Sequence, residues 1–229
     1  MNNIELPKIY LNDASGNYPQ HVGKNKISYS QYNSFKDPLY KNDYIRQYFL
    51  GERSESGIYA LFGSACGEYL EKLEVDTNWL SPNDVKVLEK LERPEGATYE
   101  GEIVIDRGTY VIQGFIDQEF GVDGKLFIKD LKTGNVNTKV KFYGGPEYQQ
   151  TTIYSYARVQ EGYTIGYSGV MLLGRKGNGE QYGPLKLSGV IEHIETPYSE
   201  ERAKKALASI DAVVFEISNA YKLFKKLNK

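Results

Sequence analysis

The sequence predicts an α/β (α+β) fold in which a mixed central sheet is flanked by helices. Apolar residues recur every three or four positions over residues 57–74, which is the spacing of an amphipathic helix. Strand-like and helical segments then follow one another along the chain, with strands at 99–105, 109–116, 125–131 and 164–173 and a helix at 147–160. A helix, three strands, a second helix and a further strand indicate one layered core.

Segments on both sides extend this core. The N-terminal part reads as an irregular arm with a short strand at 8–11, followed by a helix that Ser28 begins and Pro38 interrupts. At the other end, a strand at 185–195, antiparallel to the one before it, leads into a long helix at 199–227. We therefore expect a single domain over 1–229, with a core at about 57–175, an N-terminal arm and helix at 1–56 and a C-terminal strand and helix at 184–229.

Bulk properties exclude several classes of protein. The 229 residues include 28 basic and 30 acidic side chains, so a uniformly basic nucleic-acid coat is excluded, and any DNA contact needs a local basic patch or bridging metal ions. The single cysteine, Cys66, excludes a disulfide framework and any iron–sulfur or zinc cluster built from several cysteines. The sequence contains neither an 18-residue apolar run nor a signal-peptide pattern, so we expect a cytoplasmic protein without a membrane partner.

One stretch, residues 113–134, concentrates the charged residues of interest. It predicts two short strands joined by a tight turn at Asp123-Gly124. Side chains alternate along a strand, so Asp130 and Lys132 point the same way. Asp117 ends the preceding strand and lies beside them if the strands pair. The sequence thus predicts two carboxylates and one ammonium in a small space.

Such a cluster has two interpretations. A solvated sheet end with a surface ion pair contributes little energetically. However, Leu126, Ile128 and Leu131 surround the pair, which favours a buried strand, and buried charges need a partner or a metal ion. Two facing carboxylates suit the hard cations Mg²⁺ or Mn²⁺.

The helix at 57–74 carries a second unusual surface. Its apolar stripe contains Ile58, Leu61, Phe62, Ala65, Tyr69 and Leu73. The opposite side carries Gly63, Ser64, Gly67 and Glu71. Three such small residues indicate that something approaches closely there, such as a phosphate backbone or the neighbouring strands.

Three motifs occur in a fixed order: Gly114-Phe-Ile-Asp117, Asp130-Leu-Lys-Thr-Gly134 and Gln150-Thr-Thr-Ile-Tyr154. In order and spacing they resemble the G-x-x-D, D-x-K-T-G and Q-x-x-x-Y motifs of the PD-(D/E)xK nuclease superfamily, in its RecB-like, phage-type exonuclease branch. The resemblance covers roughly residues 57–175 and implies a restriction-endonuclease-like αβββαβ core. The family's first motif, G-x-x-x-H-x-x-x-E, matches at Gly63 and Glu71, but Gly67 replaces its metal-binding histidine.

The resemblance implies a metal-dependent nuclease that hydrolyses DNA phosphodiester bonds. It assigns Mg²⁺ or Mn²⁺ to Asp117, Asp130 and the carbonyl of Leu131, with Glu71 as a third carboxylate and Glu68 as the alternative to it. The ion would polarise the phosphate and lower the pKa of a bound water. The absence of the family's histidine alters the expected set of metal ligands.

The remaining motif residues are assigned to the substrate. Lys132 would orient or activate the attacking water and stabilise the transition state. Gln150 and Tyr154, four residues apart on one helix face, would position the DNA strand. An ordinary half-buried helix is the alternative interpretation of the last two.

Analogy of fold and size extends the resemblance to phage-type recombination exonucleases, which act on DNA ends beside a single-strand-annealing protein. A role in recombination, repair or replication, in the host cytoplasm if the chain is phage-encoded, follows from that analogy. A toroidal homo-oligomer would suit a processive enzyme, although no residue demonstrates one. The motifs leave exonuclease and endonuclease cleavage open. The alternatives are a catalytically inactive nucleic-acid-binding or assembly protein of the same fold, and an unrelated enzyme with a carboxylate-bound metal, such as a phosphatase.

Overall fold

The structure, a computed structural model, describes residues 4–7, 18–21, 23–52, 56–179, 181 and 183–228. The strand predicted at 8–11 lies outside these residues. The chain divides into two compact units, one formed by residues 1–55, 102–115 and 200–229 and the other by residues 56–101 and 116–199. The expectation of a single domain over 1–229 stays a prediction.

The first unit combines three helices with a small sheet. The helices are α1 (Tyr29–Lys36), α2 (Lys41–Tyr48) and α7 (Glu200–Leu227), and the strands are β1 (Asn25–Ile27), β2 (Gly101–Asp106) and β3 (Tyr110–Ile116). The strand order is β1-β3-β2, with β1 parallel to β3. Ser28 begins α1 in a reciprocal capping box with Gln31, which confirms the predicted helix start. The predicted long C-terminal helix is confirmed as α7.

The second unit is a four-stranded mixed sheet with helices packed against it. Its elements are α3 (Ile58–Lys72), α4 (Pro82–Leu88), β4 (Gln118–Val122), β5 (Lys125–Gly134), α5 (Val136–Tyr143), α6 (Gln150–Gln160), β6 (Ile165–Lys176) and β7 (Lys186–Glu195). The order is β4-β5-β6-β7, and only the central pair, β5 and β6, is parallel. This arrangement confirms the α/β (α+β) fold class.

The strands expected at 99–105, 109–116 and 125–131 do not all belong to one sheet. β5 pairs with β4 and β6, whereas β2 and β3 pair in the sheet of the first unit. The chain leaves β3 after Ile116 and bends at Asp117, whose carboxylate accepts the backbone N–H of Leu131. The hairpin that follows is as predicted: Asp123 and Gly124 have φ values of 49° and 72°, and Val122 pairs with Lys125.

A helix that the sequence did not predict, α5, follows β5. Asn135 caps this helix by accepting the N–H of Asn137, so the polar residues after β5 serve as a helix entry. α6 begins at Gln150, three residues later than expected. No helix in the described ranges is long and apolar enough to span a membrane.

The helix predicted at 57–74 is confirmed as α3, but its buried face is rotated relative to the predicted apolar stripe. Its buried residues are Phe62, Ala65, Cys66, Tyr69 and Leu70, while Ile58, Leu61 and Leu73 are exposed. The buried face packs with α4 and with residues of β5, β6 and β7, including Leu131 and Met171. The buried side of α3 differs from the predicted apolar stripe because α4 and the sheet, and not the apolar content of the helix alone, determine which side is buried.

Candidate active site

The β4–β5 hairpin brings together the three charged residues that its sequence singled out. The Lys132 Nζ atom lies 2.6 Å from Asp130 Oδ2 and 4.0 Å from Asp117 Oδ2. The Asp130 side chain is fully buried, and Asp117 Oδ2 accepts the N–H of Leu131 at 2.5 Å. We call these residues the Asp117–Asp130–Lys132 cluster.

The charges in this cluster change one another's protonation. Burial, followed by the charge of Asp130, raises the pKa of Asp117 to about 7, although Lys132 and the Leu131 N–H act in the opposite direction. Burial would lower the pKa of Lys132, but the charges of Asp130 and Asp117 outweigh it and raise that pKa above its ordinary value. Near neutral pH the cluster therefore holds a charged ammonium beside one carboxyl group that is partly protonated.

The two oxygens of Asp130 differ in their contacts. Oδ2 accepts the hydroxyl of Tyr148 at 2.6 Å in addition to its contact with Lys132. Oδ1 is equally buried and has no hydrogen-bond partner among the described residues. Buried carboxylate oxygens without a partner are rare because their desolvation is uncompensated. Asp130 thus offers one oxygen to a ligand that is not part of this chain.

Gln150 and Tyr154 are connected to Asp130 by a chain of hydrogen bonds that passes through Tyr148. The Tyr148 hydroxyl is 3.1 Å from Gln150 Oε1, and Gln150 Nε2 donates to the Tyr154 hydroxyl at 2.6 Å. The predicted pair therefore shares a face and is connected to the cluster through Tyr148, which sequence reasoning missed. Its only signal was a tyrosine two residues before the third motif.

The predicted third carboxylate, Glu71, lies on α3 with its side chain 33% exposed and 3.8 Å from Lys72 Nζ. Glu68, the alternative, is exposed on the same helix. A carboxylate that sequence reasoning missed, Glu100, precedes β2 with a φ of 52°. Desolvation first, and then the charge of Glu71, raise the pKa of Glu100. No motif spacing marks Glu100.

Glu100 also connects Glu71 to the cluster electrostatically. The charge of Asp130 raises the pKa of Glu100 and that of Lys132 lowers it. The charge of Glu100 in turn contributes to the raised pKa of Asp117. Lys72 also lowers the pKa of Glu100, so two ammonium groups oppose the effect of the surrounding carboxylates on Glu100.

The donor atoms of the cluster fit a hard divalent cation. Asp117, Asp130 and the Leu131 carbonyl, which now accepts Lys132 Nζ at 3.2 Å, provide only oxygen ligands. Within the described residues, no group of three or more His, Cys, Asp or Glu side chains is close enough to hold a metal ion. Mg²⁺ commonly binds through one or two carboxylates and keeps several waters. The carboxylates of Asp117 and Asp130, the latter with an unpartnered Oδ1, fit this pattern.

Comparison with known proteins identifies the fold. No family model matches the sequence, and no curated protein matches it. A solved structure that the chain resembles is the crystal structure, at 2.19 Å resolution, of a protein called "Putative exonuclease" from Eubacterium rectale. The two superpose with a TM-score of 0.53 and 16% sequence identity over 91% of this chain and 87% of that chain. At this identity the likeness concerns the fold alone, and the chain shares the α/β fold of that protein.

Proposed function

We propose that this chain is a metal-dependent nuclease of the PD-(D/E)xK type that hydrolyses phosphodiester bonds in DNA. The observation that carries the proposal is the unpartnered Oδ1 of Asp130, fully buried beside a second carboxylate and an ammonium group. The order of the three sequence motifs and the fold shared with the "Putative exonuclease" support it.

Asp117, Asp130 and the Leu131 carbonyl would hold Mg²⁺ or Mn²⁺, with Glu71 or Glu100 as a further carboxylate. When bound, the ion polarises a phosphate oxygen and lowers the pKa of a coordinated water. Asp117, whose pKa is raised to about 7 by burial and by Asp130, releases its proton more readily when a cation binds.

Lys132 provides a fixed positive charge at the same place. Its ammonium is held by Asp130 at 2.6 Å, and its raised pKa, which results from the charges of Asp130 and Asp117, keeps it protonated at neutral pH. A preorganised ammonium stabilises the negative charge that develops on the phosphate in the transition state. It also orients a water through its N–H groups.

Gln150 and Tyr154 act through Tyr148 in this proposal. The Tyr148 hydroxyl occupies Asp130 Oδ2, which leaves Oδ1 for the cation. Gln150 accepts from Tyr148 and donates to Tyr154, so the three side chains fix one another in one orientation. Tyr148 and Tyr154 are buried, so the half-buried Gln150 is the member of this network that is proposed to contact the DNA strand.

Cleavage from DNA ends, in recombination, repair or replication, is the finer form of the proposal. It is supported by analogy with the phage-type branch and by the name of the Eubacterium rectale protein. A single-strand-annealing partner, a homo-oligomer and a cytoplasmic location belong to the same analogy.

The experiment compares end-labelled linear duplex with covalently closed circular DNA in Mg²⁺, in Mn²⁺ and in EDTA. We expect the linear DNA alone to be degraded, EDTA to abolish degradation, and Lys132→Ala to slow it by about 10²- to 10³-fold. Cutting of the circle would replace the exonuclease by an endonuclease. Failure of the folded protein to cut either DNA in either metal would overturn the nuclease proposal.

A catalytically inactive DNA-binding protein is the second candidate. It is favoured by Gly67 at the position of the family's histidine and by the absence, within the described residues, of a group of three close metal-ligating side chains. In the same experiment this candidate predicts binding of both DNAs without cleavage.

A further inference from the structure

Arg175, near the end of β6, is a half-buried cation with no hydrogen-bond acceptor among the described residues. Four other arginines of the described chain all donate to oxygen: Arg46 to Glu52, Arg93 to the carbonyls of Tyr69 and Glu71, Arg107 to Asp211, and Arg158 to Glu119 and Glu161. Arg175 makes no hydrogen bond or ion pair with any described residue. Its guanidinium carries five N–H donors, and leaving them unpaired in a half-buried position is unfavourable.

The contact that Arg175 does make leaves those donors available. Its Cζ atom lies 4.0 Å from the ring centroid of Tyr59, which is 45% exposed at the start of α3. Partial burial lowers the pKa of Arg175, and the groups whose charges act on it are Tyr59, Tyr143 and Cys66, with no carboxylate among them. The guanidinium is therefore positioned by stacking and stays charged.

Arg175 lies on β6, the strand that pairs with the strand carrying Lys132. Tyr143 connects Arg175 to the Asp117–Asp130–Lys132 cluster electrostatically: burial raises its pKa, and the charges of Lys132, Asp130 and Arg175 all act on it as well. In the β5–β6 register Lys132 lies opposite Leu172, three residues before Arg175. Three residues span about 10 Å along a strand, so a phosphate beside Lys132 and a phosphate at Arg175 are different phosphates.

One face of α3 leads from Arg175 toward the carboxylates. Tyr59, Gly63, Gly67 and Glu71 follow one another at four-residue intervals and form a ridge that winds by about 120° around the helix over about 18 Å. A side chain at Gly63 would contact Thr133 Oγ1 at 3.5 Å, whereas one at Gly67 would meet no atom within 4 Å. Strand β5 thus approaches at Gly63, and open space remains at Gly67.

We propose that Arg175, held by Tyr59, binds a phosphate of the DNA strand next to the phosphate at the Asp117–Asp130–Lys132 cluster. This contact would select a polynucleotide over an isolated phosphoester. The proposal rests on the proposed nuclease function. A guanidinium provides two parallel N–H groups to a phosphate, which an ammonium cannot do.

The test compares Arg175→Met with Lys176→Met, which removes the same charge from the exposed neighbouring residue. Cleavage of a linear duplex oligonucleotide is measured beside cleavage of thymidine 5′-(p-nitrophenyl phosphate), a diester with no neighbouring phosphate. We expect Arg175→Met to raise KM for the oligonucleotide about tenfold or more and to leave kcat and the small diester nearly unchanged. Lys176→Met should behave as the wild type.

Binding of the same oligonucleotide in EDTA gives a second readout that needs no cleavage. The slope of log affinity against log salt should become shallower by about one unit in Arg175→Met and stay unchanged in Lys176→Met. Arg175→Lys, which keeps the charge but not the two parallel donors, should lie between. Thermal midpoints of all variants separate loss of folding from loss of contact.

Equal KM values and salt slopes for Arg175→Met and Lys176→Met would overturn the proposal, as would equal losses on the oligonucleotide and the small diester. If the wild type cleaves neither substrate, the nuclease function fails, and the salt slopes in EDTA still decide whether Arg175 binds a phosphate.

Discussion

Two clusters of buried charge, each with two carboxylates and one cation, involve the same hairpin. One is the Asp117–Asp130–Lys132 cluster. The other joins Arg158 on α6 to Glu119 on β4 and to Glu161, and we call it the Arg158 cluster. Arg158 donates to both oxygens of Glu119, at 2.6 and 2.8 Å, and to Glu161 at 2.7 Å.

The clusters differ in whether their hydrogen-bonding capacity is filled. Both Glu119 oxygens are occupied, and the hydrogen bonds and charges of Glu119 and Glu161 outweigh burial and raise the pKa of Arg158. Gly101 adapts to this cluster, because a side chain there would lie 2.3 Å from Glu119 Oε1. By contrast, Asp130 Oδ1 has no described partner, and burial raises the pKa of Asp117 to about 7. Unfilled capacity, and not buried charge alone, indicates a site for a ligand.

The largest expected effect concerns the Arg158 cluster. Arg158→Met should lower the free energy of unfolding by about 3–5 kcal/mol, because it leaves Glu119 buried without a partner. Urea unfolding measures the change. The double variant Arg158→Met with Glu119→Gln should recover part of it, since it removes the uncompensated charge. A loss below about 1 kcal/mol in Arg158→Met would show that the Arg158–Glu119 pair contributes no more than a surface ion pair screened by solvent.

The next largest effect concerns DNA cleavage and Lys132, the cation of the Asp117–Asp130–Lys132 cluster. Lys132→Ala should reduce DNA cleavage by about 10²- to 10³-fold, because it removes a preorganised positive charge at the phosphate. Single-turnover digestion measures the rate, and circular dichroism confirms that the variant is folded. Cleavage at the wild-type rate by Lys132→Ala would contradict a catalytic role for the Asp117–Asp130–Lys132 cluster.

A smaller effect is expected at Tyr148, which binds Asp130 Oδ2 at 2.6 Å. Tyr148→Phe should weaken Mn²⁺ binding by about 10- to 100-fold, because the carboxylate loses the group that orients it. Titration calorimetry gives the affinity. Tyr143→Phe, which alters a neighbouring ring 4.9 Å away, is the matched control. Equal Mn²⁺ affinities in both variants would show that Tyr148 does not orient Asp130 for the ion.

The smallest change concerns Cys66, a fully buried residue of α3. Burial raises the pKa of Cys66 to about 12, so at pH 8 the thiol stays protonated and should react with a disulfide reagent only when the chain unfolds. The labelling rate therefore reports unfolding, and it should rise in Arg158→Met. Fast labelling of the wild type would contradict the buried position of Cys66.

Local patterns were sufficient to predict part of the site. The Asp123-Gly124 turn fixes the pairing of β4 with β5, and the two-residue repeat then places Asp130 and Lys132 on one side. Both features depend on residues close together in sequence. The β7 pairing and the long helix α7 were also predictable, because each element is long and strongly patterned.

The features that could not be predicted depend on distant partners. Nothing in residues 99–131 indicates that β2 and β3 leave the sheet that contains β5. Glu100 gains its importance only from Glu71, 29 residues away in the chain, and Tyr148 from Asp130, 18 residues away. Sequence periodicity predicts α3, but the covering layer determines which of its faces is buried.

The most direct measurement is Mn²⁺ binding by calorimetry to the wild type, Asp130→Asn and Glu119→Gln, each confirmed as folded by circular dichroism. The two substitutions each remove one negative charge from a buried cluster. We predict that the wild type and Glu119→Gln bind Mn²⁺ with similar affinity and that Asp130→Asn does not bind it. Binding by Asp130→Asn as tight as that of the wild type, or no binding by the wild type, would contradict a cation site at Asp117 and Asp130.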